Sequence, residues 1–412
     1  MLSLVSRVSV PTALLVVLLK LRFSLCRCLR RLGSIVRRYA AAGSGRVHMR
    51  LGVKQALVGG RIVAGDVSVE DGRVVAVGVS PAGAGGLAVP GFVDVQINGF
   101  NGIDFTAADP SEYENVAQKL AATGVTAFQP TLISLPSADY LNALRQAQTM
   151  TISSARIIGI HLEGPFLAPI RCGAHDPENM IEPNAILASQ FLEAGPFTYA
   201  TIAPELPGAL DLIEFLAAAG VVVALGHTDA DATTAHAAFD RGARSVTHIF
   251  GAQRPWKHRD PGISGAALVR DDVFITAIVD GIHLAPEATI LAANAAGDRF
   301  VLITDAIAAA GRPDGEYALG DRTVILKDGA CRLENGTLAG SSLTMDQAVR
   351  NMMDLGFEPP RAIAAATSAP AALMRRDDLG RLEPGASADV CVLDDAFQVI
   401  KTLVGGAESF VR

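Results

Sequence analysis

Acidic residues are missing from the first 48 positions of the 412-residue chain, although Arg and Lys recur there from Arg7 to Arg46. The apolar run Leu14–Leu19 is cut by Lys20 and Arg22, short of the roughly 20 residues that cross a bilayer, so no membrane association is expected. Cysteine is also scarce. Cys26, Cys28, Cys172, Cys331 and Cys391 form no paired framework, which excludes a disulfide scaffold and points to a reducing, cytoplasmic setting. Cys26-Arg27-Cys28 has the wrong spacing for a redox or zinc pair. Positive charge is not in excess: 35 Lys and Arg face 42 Asp and Glu, a net charge of −7, which gives no general affinity for nucleic acid. No glycine-rich nucleotide loop follows the first strand of the main domain, because Gly83-Ala-Gly85-Gly86 precedes it.

The basic segment 1–48 suits a secretory signal poorly, since no small-residue cleavage site follows Leu19. An Arg-rich, acid-free stretch also fits an organelle-targeting peptide. The favoured expectation is a disordered or untranslated extension, with the chain proper starting at Met49.

From Ala56 to Val79 short apolar runs flank Glu70-Asp71-Gly72, a strong hairpin turn signal. A similar pattern returns at Ala388–Leu393 and Val399–Val404. Ends of one type around a different middle predict a small β-sandwich domain built from 49–90 and 375–412. Between them, strands are expected at Phe92–Gln96, Val125–Thr131, Ile157–Glu163, Thr198–Ala203, Val221–His227, Arg244–His248, Val273–Asp280 and Phe300–Asp305. Ala- and Leu-rich helical stretches such as Pro207–Ala219, Asp229–Arg241 and Pro286–Ala296 separate them. Eight βα units over roughly 280 residues predict an α/β fold, a (β/α)8 TIM-like barrel over 91–374; an open doubly wound sheet is the competitor.

The strand ends carry the chemistry. Ile157-Ile158-Gly159-Ile160 is a run of the kind buried on both faces, and the strand ends in Glu163 before Gly164-Pro165 stops it. A carboxylate there needs compensation. The following strands finish in His227, His248 and Asp305. A lone His after an apolar strand is usually a satisfied core or rim residue; this set, on strands whose ends converge in a barrel, is hard to explain by packing. Two imidazoles and a carboxylate make a catalytic metal set with a position left for water. Zinc is the first candidate, with iron, cobalt and manganese as alternatives. Asp305 suits the acid/base role, so the residues by themselves reach metal-assisted hydrolysis of an amide or related bond.

The stretches Pro90-Gly91-Phe92-Val93-Asp94-Val95-Gln96-Ile97-Asn98-Gly99, His161-Leu162-Glu163-Gly164-Pro165-Phe166, Gly226-His227-Thr228, Thr247-His248, Asp280-Gly281-Ile282-His283 and Thr304-Asp305 resemble the N-acetylglucosamine-6-phosphate deacetylase family of amidohydrolases. The resemblance runs in order from about Leu57 to the C-terminus. It implies deacetylation of an amino-sugar phosphate, one divalent metal ion per subunit held by Glu163, His227 and His248, and Asp305 as acid/base. It implies further that His175 polarises the acetyl carbonyl and that Ala174 meets the sugar through its backbone. Arg259 and His283 would hold the phosphate, and Leu338, Ala339 and Gly340 would form a substrate-facing loop. Without the resemblance, Arg259 is a solvated loop charge, His283 a capping residue and Leu338 core. A homodimer is expected on the same ground.

Gln96 and Asn98 stand where many amidohydrolases carry His-x-His, as in the single-metal branch of the family. Another feature departs from the family: Phe250-Gly251-Ala252-Gln253 replaces an aromatic followed by Asn-Ala-Met. Gly251 offers a phosphate its backbone N–H alone. Another N-acyl amino sugar or a cyclic amide is therefore the alternative substrate.

Overall fold

The computed structural model describes residues 48–412; the expectations for the segment before them lie outside the described residues. Eight parallel strands run in sequence order: β1 (Phe92–Ile97), β2 (Val125–Leu132), β3 (Ile160–Glu163), β4 (Phe197–Ile202), β5 (Val222–Leu225), β6 (Ala243–Val246), β7 (Phe274–Ala277) and β8 (Phe300–Leu302). Each pairs with the next in parallel register. The ring closes where Asp305 N donates to Gln96 O (2.9 Å) and Asn98 N to Ala306 O (2.7 Å). These strands read as apolar runs rather than alternating patterns because helices cover their outer faces and side chains fill the interior; every residue of β1 and β2 is buried.

The returning helices are α1 (Pro110–Ala121), α2 (Ser137–Ala147), α3 (Ala185–Ala194), α4 (Ala209–Ala218), α5 (Ala232–Asp240), α6 (Gly262–Leu268), α7 (Pro286–Ala296) and α8 (Met345–Asp354). Local sequence sets several starts. Asp109 and Glu112 close a capping box at α1, Asp231 caps α5, and Pro286 opens α7.

The chain ends meet in a separate sheet domain. Leu87–Pro90 pairs antiparallel with Val390–Leu393 inside a six-stranded sheet whose edges are Arg61–Ala64 and Ala407–Val411. A three-stranded sheet of His48–Arg50, Asp66–Glu70 and Arg73–Val79 accompanies it. Val53, Ala56, Val67, Val69 and Val74 from the first end pack with Ala388, Val390, Val392 and Leu403 from the second. Arg156 ties this domain to the barrel through a two-pronged ion pair with Asp389, at 2.7 and 2.6 Å.

Several strands stop earlier than the apolar pattern predicts. β5, β6 and β8 end at Leu225, Val246 and Leu302, so His227, His248 and Asp305 lie beyond the regular strands, although Asp305 N still makes the ring-closing bond to Gln96 O. The expected strand Ile157–Glu163 is broken at Gly159, whose φ of +138° interrupts the ladder. The region after β8 also holds a three-stranded hairpin sheet, Gly315–Leu319, Arg322–Lys327 and Ala330–Arg332, packed over Ile133 and Ile307.

Candidate active site

His227, His248 and Asp305 share a backbone peculiarity: their φ angles are +47°, +29° and +49°, the left-handed region that costs a non-glycine residue about 1 kcal/mol or more. The sharp turn at each strand end brings the side chains to one spot on the barrel's C-terminal face. There, Glu163 Oε1 lies 3.2 Å from His227 Nε2 and 2.9 Å from His248 Nε2, and Oε2 is 3.9 Å from His175 Nε2. Asp305 joins them through amides. Gln96 Nε2 donates to Glu163 Oε1 (3.1 Å) and to Asp305 Oδ1 (3.2 Å), and Asn98 Nδ2 donates to Asp305 Oδ1 (2.7 Å). Below, Asp94 accepts from the Thr304 hydroxyl at 2.6 Å and so fixes the residue before Asp305.

Hydrogen bonds outside the cluster fix two ring tautomers. His227 Nδ1 lies 2.9 Å from Arg171 O. A carbonyl can only accept, so Nδ1 carries a proton, and in the tautomer this bond selects the Nε2 lone pair faces Glu163 Oε1. Two acceptor atoms 3.2 Å apart in a buried site repel unless a cation lies between them. His175 is wired the opposite way. Its Nδ1 accepts from Ser134 N at 3.1 Å, which leaves the proton on Nε2 and makes it a donor into the cavity. Ligand atoms of Glu163, His175 and His227 all lie within 4.8 Å of one another. Proximity alone would make His175 a ligand; the Ser134 bond argues for His248 in its place.

Electrostatics agree with a cation-binding carboxylate. Burial opposes ionisation of Glu163, yet the facing His227 and His248 imidazoles outweigh it and hold the carboxyl well below its usual range. Burial likewise opposes charge on His248, but Glu163 beside it prevails and pushes its pKa up to about 9. Desolvation pushes His175 down to about 3, keeping it neutral. Burial, then the Glu163 charge, raises Asp305 to about 6, close to where a proton-transfer group works best.

The cluster floors a cavity of about 310 Å³, a size suited to a small ligand. Ala174, His175, Gly251, Ala252, His283, Leu338 and Gly340 line it with the Glu163, His227, His248 and Asp305 group. Ala339 does not; it is buried beneath, its N–H bonded to Cys331 O. Arg259 is exposed and also stands apart from the lining. Its solvated-charge reading fits this chain's own surface. His283 pairs with Asp280, Nδ1 lying 2.7 Å from Oδ2, and it is Asp280 rather than His283 that accepts backbone N–H groups here; His283 still reaches the cavity. Sequence reasoning missed the apolar wall of Ile133, Ile249, Ile278, Leu284 and Leu319, which carries no chemical signature, and Leu319 comes from the hairpin sheet. Among the described residues no Lys or Arg lines the cavity. A Cβ added at Gly251 would stand 3.2 Å from His248 Nδ1, so this glycine packs directly against the site.

Comparison with known proteins agrees with this geometry. The sequence profile of the amidohydrolase family matches residues 87–409. The chain is 36% identical over 327 residues to N-acetylgalactosamine-6-phosphate deacetylase of Escherichia coli O157:H7, covering 78% of this chain and 87% of the relative. It is 38% identical over 346 residues to N-acetylglucosamine-6-phosphate deacetylase of Bos taurus, covering 78% and 83%. A mutant N-acetyl-D-glucosamine-6-phosphate deacetylase of Mycobacterium smegmatis, solved in complex with N-acetyl-D-glucosamine-6-phosphate, superposes with a TM-score of 0.83 at 35% identity. That match covers 89% of this chain and all of the other. With a family match across most of its length and a barrel whose strand ends gather groups that could hold a metal ion, the chain belongs to the amidohydrolase family.

Proposed function

We propose that this protein removes the acetyl group from N-acetylglucosamine 6-phosphate, adding water across the amide to give glucosamine 6-phosphate and acetate. The observation that carries the reading is the inward-facing lone pair of His227 Nε2 against the buried Glu163 carboxylate, with His248 and Asp305 beside them. Amidohydrolases are metal-dependent. Here the ligands are Glu163, His227 and His248, and one zinc ion is the best fit for two imidazoles and a carboxylate. Such an ion supplies Lewis acidity and an acidified water.

The chain's own groups do the rest. His175 Nε2–H donates to the acetyl carbonyl oxygen as negative charge builds there. Asp305 Oδ2 takes a proton from the attacking water and returns it to the sugar nitrogen as the C–N bond breaks. The Gln96 and Asn98 amides hold the other Asp305 oxygen, and their occupation there supports one metal rather than two. Ala174, Ala252, Leu338 and Gly340 shape the sugar site and His283 meets the phosphate. Gly251 lines the cavity, but its N–H is already bonded to His248 O at 2.9 Å and is not the phosphate donor expected from the sequence. Arg259 and Ala339 remain in the family pattern without lining the cavity of the single chain.

A second reading, deacetylation of another N-acetyl amino sugar, is favoured by the Gly251 departure, by the absence of Lys and Arg from the lining and by the galactosamine-type relative. Acetate release from the 6-phosphates of N-acetylglucosamine and N-acetylgalactosamine and from the free sugars separates the two. N-acetylglucosamine 6-phosphate should be hydrolysed fastest, with activity lost on chelation and regained on adding zinc; faster turnover of N-acetylgalactosamine 6-phosphate or of a free sugar favours the second reading.

The setting is cytoplasmic and the assembly a homodimer. The free Cys172, Cys331 and Cys391 suit a reducing compartment. Exposed Trp256, Val269 and Leu291 around one groove suit a partner. No helix among the described residues is long and apolar enough to cross a membrane.

A further inference from the structure

His227 gives its orienting hydrogen bond to a loop, not to the barrel wall. The acceptor is the carbonyl of Arg171, at the end of the short turn Pro169–Arg171 in the connection after β3. That connection lies against the histidine over several residues. Ala168 N donates to His227 O at 3.0 Å, and a Cβ on Gly173 would come within 3.2 Å of His227 Cε1. The same connection carries Ala174 and His175 into the cavity. Its placement therefore governs both the ligand imidazole and the polarising one.

What holds the connection down is the side chain of the same residue. Arg171 Nε and Nη2 donate to Asp229 Oδ1 at 2.8 and 2.5 Å, two positions beyond His227. Asp229 is itself fixed: its N–H donates to Glu205 Oε1 at 2.6 Å. Arg254 Nη1 reaches its carbonyl (3.1 Å) and Oδ2 (3.3 Å). Arg171 thus touches His227 through its main chain and Asp229 through its guanidinium, closing a ring around the imidazole.

We infer that the Arg171–Asp229 ion pair is a positioning device for the metal site, holding the Arg171 carbonyl where it fixes the tautomer and tilt of His227. The inference rests on His227 being a metal ligand. Both partners are about a third exposed, at 28% and 31%, and such pairs contribute little to global stability. The effect is local. Outer partners that orient a ligating histidine typically change metal affinity 10–100-fold when lost.

The test is zinc affinity by chelator competition for the intact protein and for Arg171→Ala, Asp229→Asn, the double variant and Arg171→Lys, with metal-free melting curves alongside. Arg171→Ala and Asp229→Asn should each weaken zinc binding by about 10-fold or more, with metal-free melting moved by no more than about 2 °C. The double variant should lose no more than the worse single one, and Arg171→Lys should recover much of the affinity. Unchanged affinity in both single variants, or fully additive losses, overturns the inference. If Arg171→Ala does not fold, Asp229→Asn alone decides it. An unaltered protein that binds no zinc overturns instead the ligand reading on which the inference rests.

Discussion

Asp305→Asn lowers turnover by about 100-fold or more while leaving the metal content near that of the unaltered protein. The substitution is close to isosteric. Its carbonyl can still accept from Gln96 and Asn98, which now hold Asp305 Oδ1 at 3.2 and 2.7 Å, so the cluster keeps its shape. What is lost is a group able to take a proton and give it back. The same group sets a pH limb. Burial and the Glu163 charge raise Asp305 to about 6, and the working form is the carboxylate, so kcat/KM falls as pH drops and Asp305 protonates. A cation held by Glu163 pulls the midpoint to 6 or below. Steady-state kinetics across pH and metal analysis of both proteins check these expectations. Retained turnover in the variant removes Asp305 from the role.

His175→Ala and His227→Ala separate two histidines whose rings sit only 4.4 Å apart. Distance from Glu163 does not tell a ligand from a donor here; the proton positions do. His175 accepts from Ser134 N and so presents Nε2–H, whereas His227 donates to Arg171 O and so presents a lone pair. His175→Ala should therefore keep its metal and lose about 100- to 1,000-fold in kcat, the scale of one missing donor to a developing oxyanion. His227→Ala should lose the metal with the activity. Metal loss in the His175 variant would return that residue to the ligand set and displace His248.

The barrel was legible because its strands are buried on both faces and its helices carry local start signals, as at Asp109 and Pro286. Glu163, His227, His248 and Asp305 were legible because polar residues directly after apolar runs stand out. The turns that aim them were not: nothing in a histidine's identity announces a left-handed φ, so the apolar pattern runs on into His227, His248 and Asp305 although the strands stop before them. The hairpin sheet holding Leu319 and the apolar cavity wall stayed hidden too, since Ile and Leu read as core wherever they occur. The Arg171–Asp229 pair joins residues 58 positions apart, a closeness that only the closed barrel creates.

X-ray absorption and anomalous diffraction of the zinc-loaded protein reach the central claim most directly. The account predicts one zinc per chain, bound by Nε2 of His227, Nε2 of His248 and the Glu163 carboxylate, with His175 outside bonding distance and Asp305 facing the remaining position. Zinc bonded to His175 Nε2, a second ion at Gln96 and Asn98, or no ion between Glu163 and His227 would contradict it.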